Sequence, residues 1–216
     1  TLFPYTTLFR SAKILLDSAT LYASKINDID LISETYWFWG YYYKNTKDFN
    51  NSINYFKKST SLSHNQFNYI NKSFELCYIY IENNRISDAL TLLEKLKNLS
   101  YLSNNNIFLI EIFQIYSKIY TKNNDLKTAI EFTQKSLKIS KEINHFPSQI
   151  ENYRILAELF KKSNLKELSF DAYDKYVNCL NSFNARNKTK KKTILNQNLQ
   201  IFSKIKNQEL LEVPKT

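Results

Sequence analysis

Apolar residues recur along most of the chain at intervals of three and four positions, in stretches that end at short polar joints. This spacing places apolar side chains on one face of an α-helix. The joints KNTKD, ENNR, TKNND and KKSNLK are rich in residues that favour turns over helix interiors. The single Gly and three Pro are too few for an all-β fold, which needs frequent turn residues. The pattern therefore predicts helices paired through tight turns.

The helix pairs repeat along the sequence. Four segments align from Gly40, Cys77, Ser117 and Ala157. In each, an aromatic residue follows the small residue after three positions, and a second small residue follows nine positions later. The period is 37, then 40, then 40 residues. Small residues let the two antiparallel helices of a pair approach closely, and one pair cannot bury both of its faces. The sequence therefore predicts helical hairpins that stack on one another.

These positions resemble the tetratricopeptide repeat, whose first helix carries an aromatic residue, Leu-Gly and Tyr and whose second carries Ala, an aromatic residue and Ala. The residues of the first full unit that match are Tyr36, Trp39, Gly40, Tyr43, Ser52, Phe56 and Ser59. The resemblance covers residues 12–182, as a half repeat at 12–26 and repeats at about 33–66, 70–103, 110–143 and 150–183. The links between units are longer than the family standard, and the Pro that usually closes each repeat is missing.

The resemblance implies an all-α fold. We expect an α-α superhelix of stacked antiparallel helix hairpins, a solenoid like those of tetratricopeptide proteins, with an extra C-terminal helix. Residues 184–216 carry no repeat signature and predict a basic amphipathic helix. This helix is either a cap for the last repeat or a connector, because it resembles the segment after the repeats in many bacterial sensor kinases and regulators. Its run KTKKK also leaves contact with nucleic acid as a lesser alternative.

The first residues, TLFPYTTLFRS, contain none of the Asn, Lys and Ile that dominate the rest of the chain. All eleven resemble the translation of a widely used sequencing adapter. We therefore expect residues 1–11 to be non-native and residues 12–26 to be the second helix of a repeat whose first helix is missing. An exposed apolar face on that helix would then result from the cut and would not mark a binding site.

Composition argues against most other classes of function. The net charge of +10 comes almost wholly from Lys, whereas proteins that read nucleic acids favour Arg. The two histidines, His64 and His145, lie in links and have no metal-ligand spacing around them, so we expect no enzyme activity, cofactor or metal. Cys77 and Cys179 are far apart and are expected to be reduced, which favours a cytoplasmic location. No apolar run is long enough to span a membrane.

The resemblance also implies a binding site, because the first helix of each tetratricopeptide hairpin lines a concave groove. Carrying the groove positions over gives Glu34, Trp37, Tyr41, Lys44, Asn71, Phe74, Tyr78, Glu111, Gln114, Lys118, Arg154, Glu158 and Lys161. The first half of this set is mainly aromatic and the second half charged, which suits a peptide or protein segment with an apolar and an ionic portion. Packing against neighbouring repeats is the alternative role for the aromatic residues.

Together these features predict a non-enzymatic peptide- or protein-binding scaffold. We expect it to be a fragment of a larger bacterial signalling or regulatory protein. A structural repeat domain that associates with itself is the alternative, and a nucleic-acid-associated protein is a lesser one.

Overall fold

The computed structural model describes the backbone of residues 3–211 and the side chains of residues 9–189. The described residues form helices and no strand, which confirms the predicted fold class. In chain order the helices are α1 (Phe3–Ile26), α2 (Ile29–Asn45), α3 (Phe49–Ser61), α4 (Gln66–Glu82), α5 (Ile86–Leu102), α6 (Asn106–Lys122), α7 (Leu126–Glu142), α8 (Phe146–Lys162) and α9 (Lys166–Leu211). Within this described part, no helix combines the length and apolarity needed to cross a membrane.

The helices form two compact units. In the first unit, α2 pairs with α3, α4 with α5 and α6 with α7, and each hairpin contacts the next through α3 and α4 or α5 and α6. Helix α1 packs against α2. The fully buried side chains of this unit include Phe56, Ile70, Ile79, Leu93, Ile112 and Ile115, and they form one continuous core between the hairpins. The second unit consists of α8 packed along α9.

The helices end in a common turn. A residue with φ between 50° and 62° follows the helix at Asn27, Lys47, Asn84, Asn104, Asn124, Asn144 and Asn164. Asn tolerates this left-handed conformation better than other residues that carry a Cβ. The next N–H then bonds to a carbonyl five residues back, for example from Arg85 to Tyr80 at 2.7 Å. The chain thus ends most of its described helices with Asn at a position where Gly is the usual residue; α2 uses Lys47, and α3 ends without a left-handed residue.

The turn spacing explains the repeat period. Successive left-handed residues are 20 positions apart, except for the 37 positions between Lys47 and Asn84. This interval spans two helices because α3 ends at Leu62 with no left-handed residue, and it is 37 rather than 40 because α3 has 13 residues, whereas α5 and α7 have 17. The family pattern suggests long links between repeats, but the extra residues are helical. Helices α2, α4, α6 and α8 each begin four residues before the predicted repeat start.

The small residues that recur in each repeat let the two helices of a hairpin approach closely, as predicted. A Cβ on Gly40 would lie 2.6 Å from the ring of Phe56, so only Gly allows this approach of α2 and α3. The Ser52 hydroxyl donates a hydrogen bond of 2.8 Å to the Gly40 carbonyl. In the last hairpin the Ser169 hydroxyl makes the same bond, 2.9 Å long, to the Ala157 carbonyl. The first and last hairpins therefore close in the same way.

The outer helices continue beyond the predicted segments. Helix α1 includes residues before Ser11, and Pro4 lies in its first turn, where a missing N–H costs no helical bond. Helix α9 continues without a break through residue 184, so the predicted C-terminal helix is an extension of the last hairpin. The side chains of its predicted apolar stripe lie outside the described residues. On α1 the large apolar side chains that are exposed include Ile14, Leu15, Leu21, Tyr22 and Ile26.

Candidate protein-binding face

The first helices of the hairpins in the first unit, α2, α4 and α6, share a surface of half-exposed polar and aromatic side chains. We call it the A face and define it by Glu34, Lys44, Glu75, Tyr78, Glu82, Glu111 and Lys118. The N-caps Asp28, Asn65 and Asn105 fix where these helices begin, because each side chain accepts a hydrogen bond from a first-turn N–H. The A face includes five of the predicted groove residues.

Charged contacts join α2 to α4 on the A face. The ammonium of Lys44 lies 3.5 Å from a Glu75 carboxylate oxygen and 3.8 Å from one of Glu82. Burial and then the hydrogen bond that its hydroxyl donates to Glu75 raise the pKa of Tyr41 well above its usual range. Glu75 therefore holds two predicted groove residues, although its own position was not predicted.

A second set of contacts joins α4 to α6. The Tyr78 hydroxyl donates a hydrogen bond of 2.6 Å to Glu111, and the Lys118 ammonium lies 4.6 Å from the centre of the Tyr78 ring. Burial, followed by the neighbouring Glu111 carboxylate, raises the pKa of the Tyr78 hydroxyl. Lys122 donates to the carbonyl of Ile81. The A face is thus a network of charged and aromatic groups that spans three helices.

Beneath the A face lies a buried lysine that the sequence pattern missed. Lys72 is 7% exposed, and its ammonium lies 2.8 Å from Glu34 and donates to the Ser33 hydroxyl at 2.7 Å. Ser33 and Ser59 also donate to each other's carbonyls, at 2.9 and 2.7 Å. A buried charge needs such a partner because its desolvation is costly. Lys72 on α4 therefore depends on Glu34, a predicted groove residue on α2.

The predicted aromatic residues of the groove contact the core. Phe74 is buried and its ring centre lies 5.9 Å from that of Phe108 on α6. Trp37 packs edge-on against Tyr41 at 4.8 Å and, like Tyr41 and Tyr78, borders the core cluster. Among the described atoms, the buried Nε1 of Trp37 has no hydrogen-bond partner. A direct ligand contact by Trp37, Tyr41 or Phe74 stays a prediction.

Two further predicted groove residues lie on the same helices. Asn71 is exposed on α4, and Gln114 is half-buried on α6. Phe38 on α2 is also half exposed, although it was not among the predicted groove residues. Its signal in the sequence was its place between two aromatic residues that pack inward, Trp37 and Trp39.

The three remaining predicted residues, Arg154, Glu158 and Lys161, are exposed on α8 in the second unit. Arg154 pairs with Glu151 and Glu158 at 2.5 Å each, and its hydrogen bond to Glu151 contributes most to its raised pKa. The same side of α8 forms an open pocket of about 860 Å³ with α9. The pocket is lined by Arg154, Glu158 and Lys161 from α8 and by Lys166, Phe170 and Tyr173 from α9.

The groups most often used in catalysis are dispersed. His64 is exposed in the link between α3 and α4, and the His145 ring nitrogen lies 2.8 Å from the Ser148 hydroxyl at the start of α8. Burial raises the pKa of Cys77, so this thiol is held in its unreactive protonated form. In the described part of the chain, no three His, Cys, Asp or Glu residues are grouped to hold a metal ion.

Comparison with known proteins agrees with this architecture. The tetratricopeptide repeat family matches residues 33–66, which is the first predicted full repeat. A search of the curated proteins gives no significant match.

Several solved structures share the fold. BtubC (BKLC) from P. vanneervenii superposes with a TM-score of 0.66 at 13% identity, over 82% of this chain and 74% of the other. A putative kinesin light chain from Podosopora anserina, with nearly identical TPR-like repeats, gives 0.59 at 13% identity, over 83% and 90%. MamA residues 41 to the end, from Desulfovibrio magneticus RS-1, gives 0.55 at 16% identity, over 84% and 98%.

At these identities the similarity concerns the fold. The stacked hairpins give this chain the fold of a tetratricopeptide solenoid, and within it residues 33–66 match the tetratricopeptide repeat family.

Proposed function

We propose that this chain is a non-enzymatic scaffold that binds a peptide or protein segment along the A face. The observation that carries the proposal is a partly exposed network that spans three helices. It runs through Lys44, Glu75, Tyr78, Glu111 and Lys118. Each side chain is already fixed by a partner on the next helix. A ligand would therefore meet oriented charges and ring faces, and would pay little to order them.

The chemistry of the A face indicates its ligand. Carboxylates at Glu75, Glu82 and Glu111 alternate with ammonium groups at Lys44 and Lys118. A segment that carries basic and acidic side chains can form ion pairs with these groups in place of the pairs within the A face, and little electrostatic energy is lost in the exchange. The ligand class that fits best is an extended or helical segment of mixed charge.

A peptide selection tests this proposal. Peptides selected from a random displayed library against the full chain should bind Lys44→Ala/Lys118→Ala at least about tenfold more weakly, which corresponds to about 1.4 kcal/mol. The reason is that both ammonium groups face the ligand. Fluorescence anisotropy of the labelled peptides gives the Kd.

The matched control is Lys95→Ala/Lys135→Ala. These lysines lie on the second helices α5 and α7, and each also lies over an aromatic ring, at 4.8 Å in both cases. Both double variants remove two charges from the net +10. If both double variants lost the same amount of peptide affinity, only the overall charge would matter. If neither lost affinity, the peptide would bind outside the A face. Either result would contradict the proposal.

A self-associating repeat domain is the second candidate. It is favoured by exposed aromatic side chains of the repeats, among which Phe38 on α2 and Phe67 on α4 are 51% and 58% exposed. This candidate requires a sedimentation mass above that of a monomer. A place within a larger bacterial signalling protein in the cytoplasm stays a prediction from the family resemblance.

A further inference from the structure

The α8–α9 pocket in the second unit has a structural counterpart in the first. Ser169 and Ala157 lie 117 positions after Ser52 and Gly40, and each serine donates its hydroxyl to the carbonyl of its small partner. Because the two hairpins close alike, residues at this offset occupy equivalent places. Lys161 then corresponds to Lys44, Phe170 to Ile53 and Tyr173 to Phe56.

In the first hairpin, another helix covers this surface. Helix α4 packs on α3, and its side chains reach α2 as well. Ile53 and Phe56 are consequently only 3% and 0% exposed. Lys44 is paired by two α4 carboxylates, Glu75 and Glu82, which lie seven residues apart. A helix in this position thus supplies both apolar burial and acidic partners.

In the last hairpin the equivalent residues are uncovered. Phe170 is 71% exposed and Tyr173 is 56% exposed, and both line the pocket of about 860 Å³. Among the residues whose side chains are described, Lys161 and Lys166 have no ion pair. Two exposed aromatic rings beside lysines without an ion pair are typical of an interaction surface.

The charge of the pocket selects its occupant. Its lining contains three basic side chains, Arg154, Lys161 and Lys166, and one acidic side chain, Glu158. Arg154 holds the Glu158 carboxylate at 2.5 Å, so this acid is already neutralised. Lys161 and Lys166 remain to attract carboxylates of an incoming segment.

We propose that the α8–α9 pocket binds an amphipathic helix of a partner protein, laid across α8 and α9 as α4 lies across α2 and α3. The partner helix carries two carboxylates seven residues apart, which pair with Lys161, and an apolar stripe that covers Phe170 and Tyr173. The proposal deepens the scaffold function through a surface separate from the A face.

The α4 segment itself is a suitable probe, because it is the helix that fills the equivalent position. A labelled synthetic peptide of residues 66–82, with Cys77→Ser to prevent oxidation, is titrated into the full chain. We expect saturable binding that weakens at least tenfold in Phe170→Ala/Tyr173→Ala. Both residues are exposed, so circular dichroism should show unchanged helix content. Tyr101→Ala is the matched control because Tyr101 is also 56% exposed but lies on α5.

A charge swap tests the acidic spacing. The peptide with Glu75→Gln and Glu82→Gln should bind the unaltered chain more weakly than the acidic peptide, and Lys161→Ala should remove most of this difference. Lys162→Ala, one residue away and outside the pocket lining, should preserve it.

Three outcomes would overturn the proposal. The peptide could show no saturable binding, or it could bind the Phe170→Ala/Tyr173→Ala chain as tightly as the unaltered chain. The third is that Tyr101→Ala weakens binding as much as the double variant does. Association of the chain with itself that Phe170→Ala/Tyr173→Ala abolishes would make a second copy the occupant, against the proposal. Lys44→Ala/Lys118→Ala should leave binding of this peptide intact, so failure here and failure of the A face can be told apart.

Discussion

At the scale of single residues, a left-handed residue follows seven of the described helices, from α1 to α8 with the exception of α3. Six of the seven such positions in the described chain are Asn, and one is Lys47. A Cβ beside the following carbonyl makes this conformation costly for most residues, and Asn offsets part of the cost through local hydrogen bonds. The abundance of Asn therefore serves a structural purpose in a chain with one Gly.

Lys47 provides a test of this explanation. Lys47→Asn should raise the free energy of unfolding by up to about 1 kcal/mol, because it relieves a left-handed lysine. Urea unfolding followed by circular dichroism measures the change. Lys138→Asn makes the same charge change on α7, where φ is helical, and should be neutral or slightly destabilising. The explanation fails if both substitutions shift the midpoint equally.

Gly40 tests the close approach of α2 and α3. Gly40→Ala should destabilise the chain by about 1 to 2 kcal/mol, because overpacking against Phe56 outweighs the better helix propensity of Ala. The double variant Gly40→Ala/Phe56→Leu should lose less stability than the sum of the single variants, since the smaller side chain makes room for the added methyl group. Strictly additive losses in thermal or urea unfolding would show that the two sites do not press on each other.

At the scale of helices, the sequence predicted the hairpins well because small residues, aromatics and turns repeat in phase. The side chains that form the A face were harder to predict. On α4 the predicted phase includes Phe74, which is buried, whereas the next residue, Glu75, reaches the surface and pairs with Lys44. A shift of one residue rotates the side chain by about 100° around the helix, so a small error in phase exchanges core for surface.

The helix lengths also differ from those of the family pattern. The family pattern describes 34-residue units, whereas most units here repeat every 40 residues and gain a helical turn. Cross-helix partners such as Lys72 with Glu34 depend on how neighbouring helices pack. Spacing within a single sequence carries no signal for such pairs, so Lys72 could not be found before the fold was known.

At the scale of the whole molecule, we propose two recognition surfaces of different chemistry. The A face presents alternating acids and bases that are already paired. The α8–α9 pocket presents exposed aromatic rings and two lysines that have no ion pair among the residues with described side chains. The first suits a segment of mixed charge, and the second an acidic amphipathic helix. The net charge of +10 favours association with acidic partners in both cases, and this contribution weakens as salt is added.

Hydrogen–deuterium exchange on the full chain, with and without a saturating selected peptide, tests the central claim most directly. The A-face account predicts slower exchange in the parts of α2, α4 and α6 around Lys44, Tyr78 and Lys118, with little change in α3, α5 and α7. Protection confined to α1 or to α8 and α9, or no protection at saturation, would contradict it.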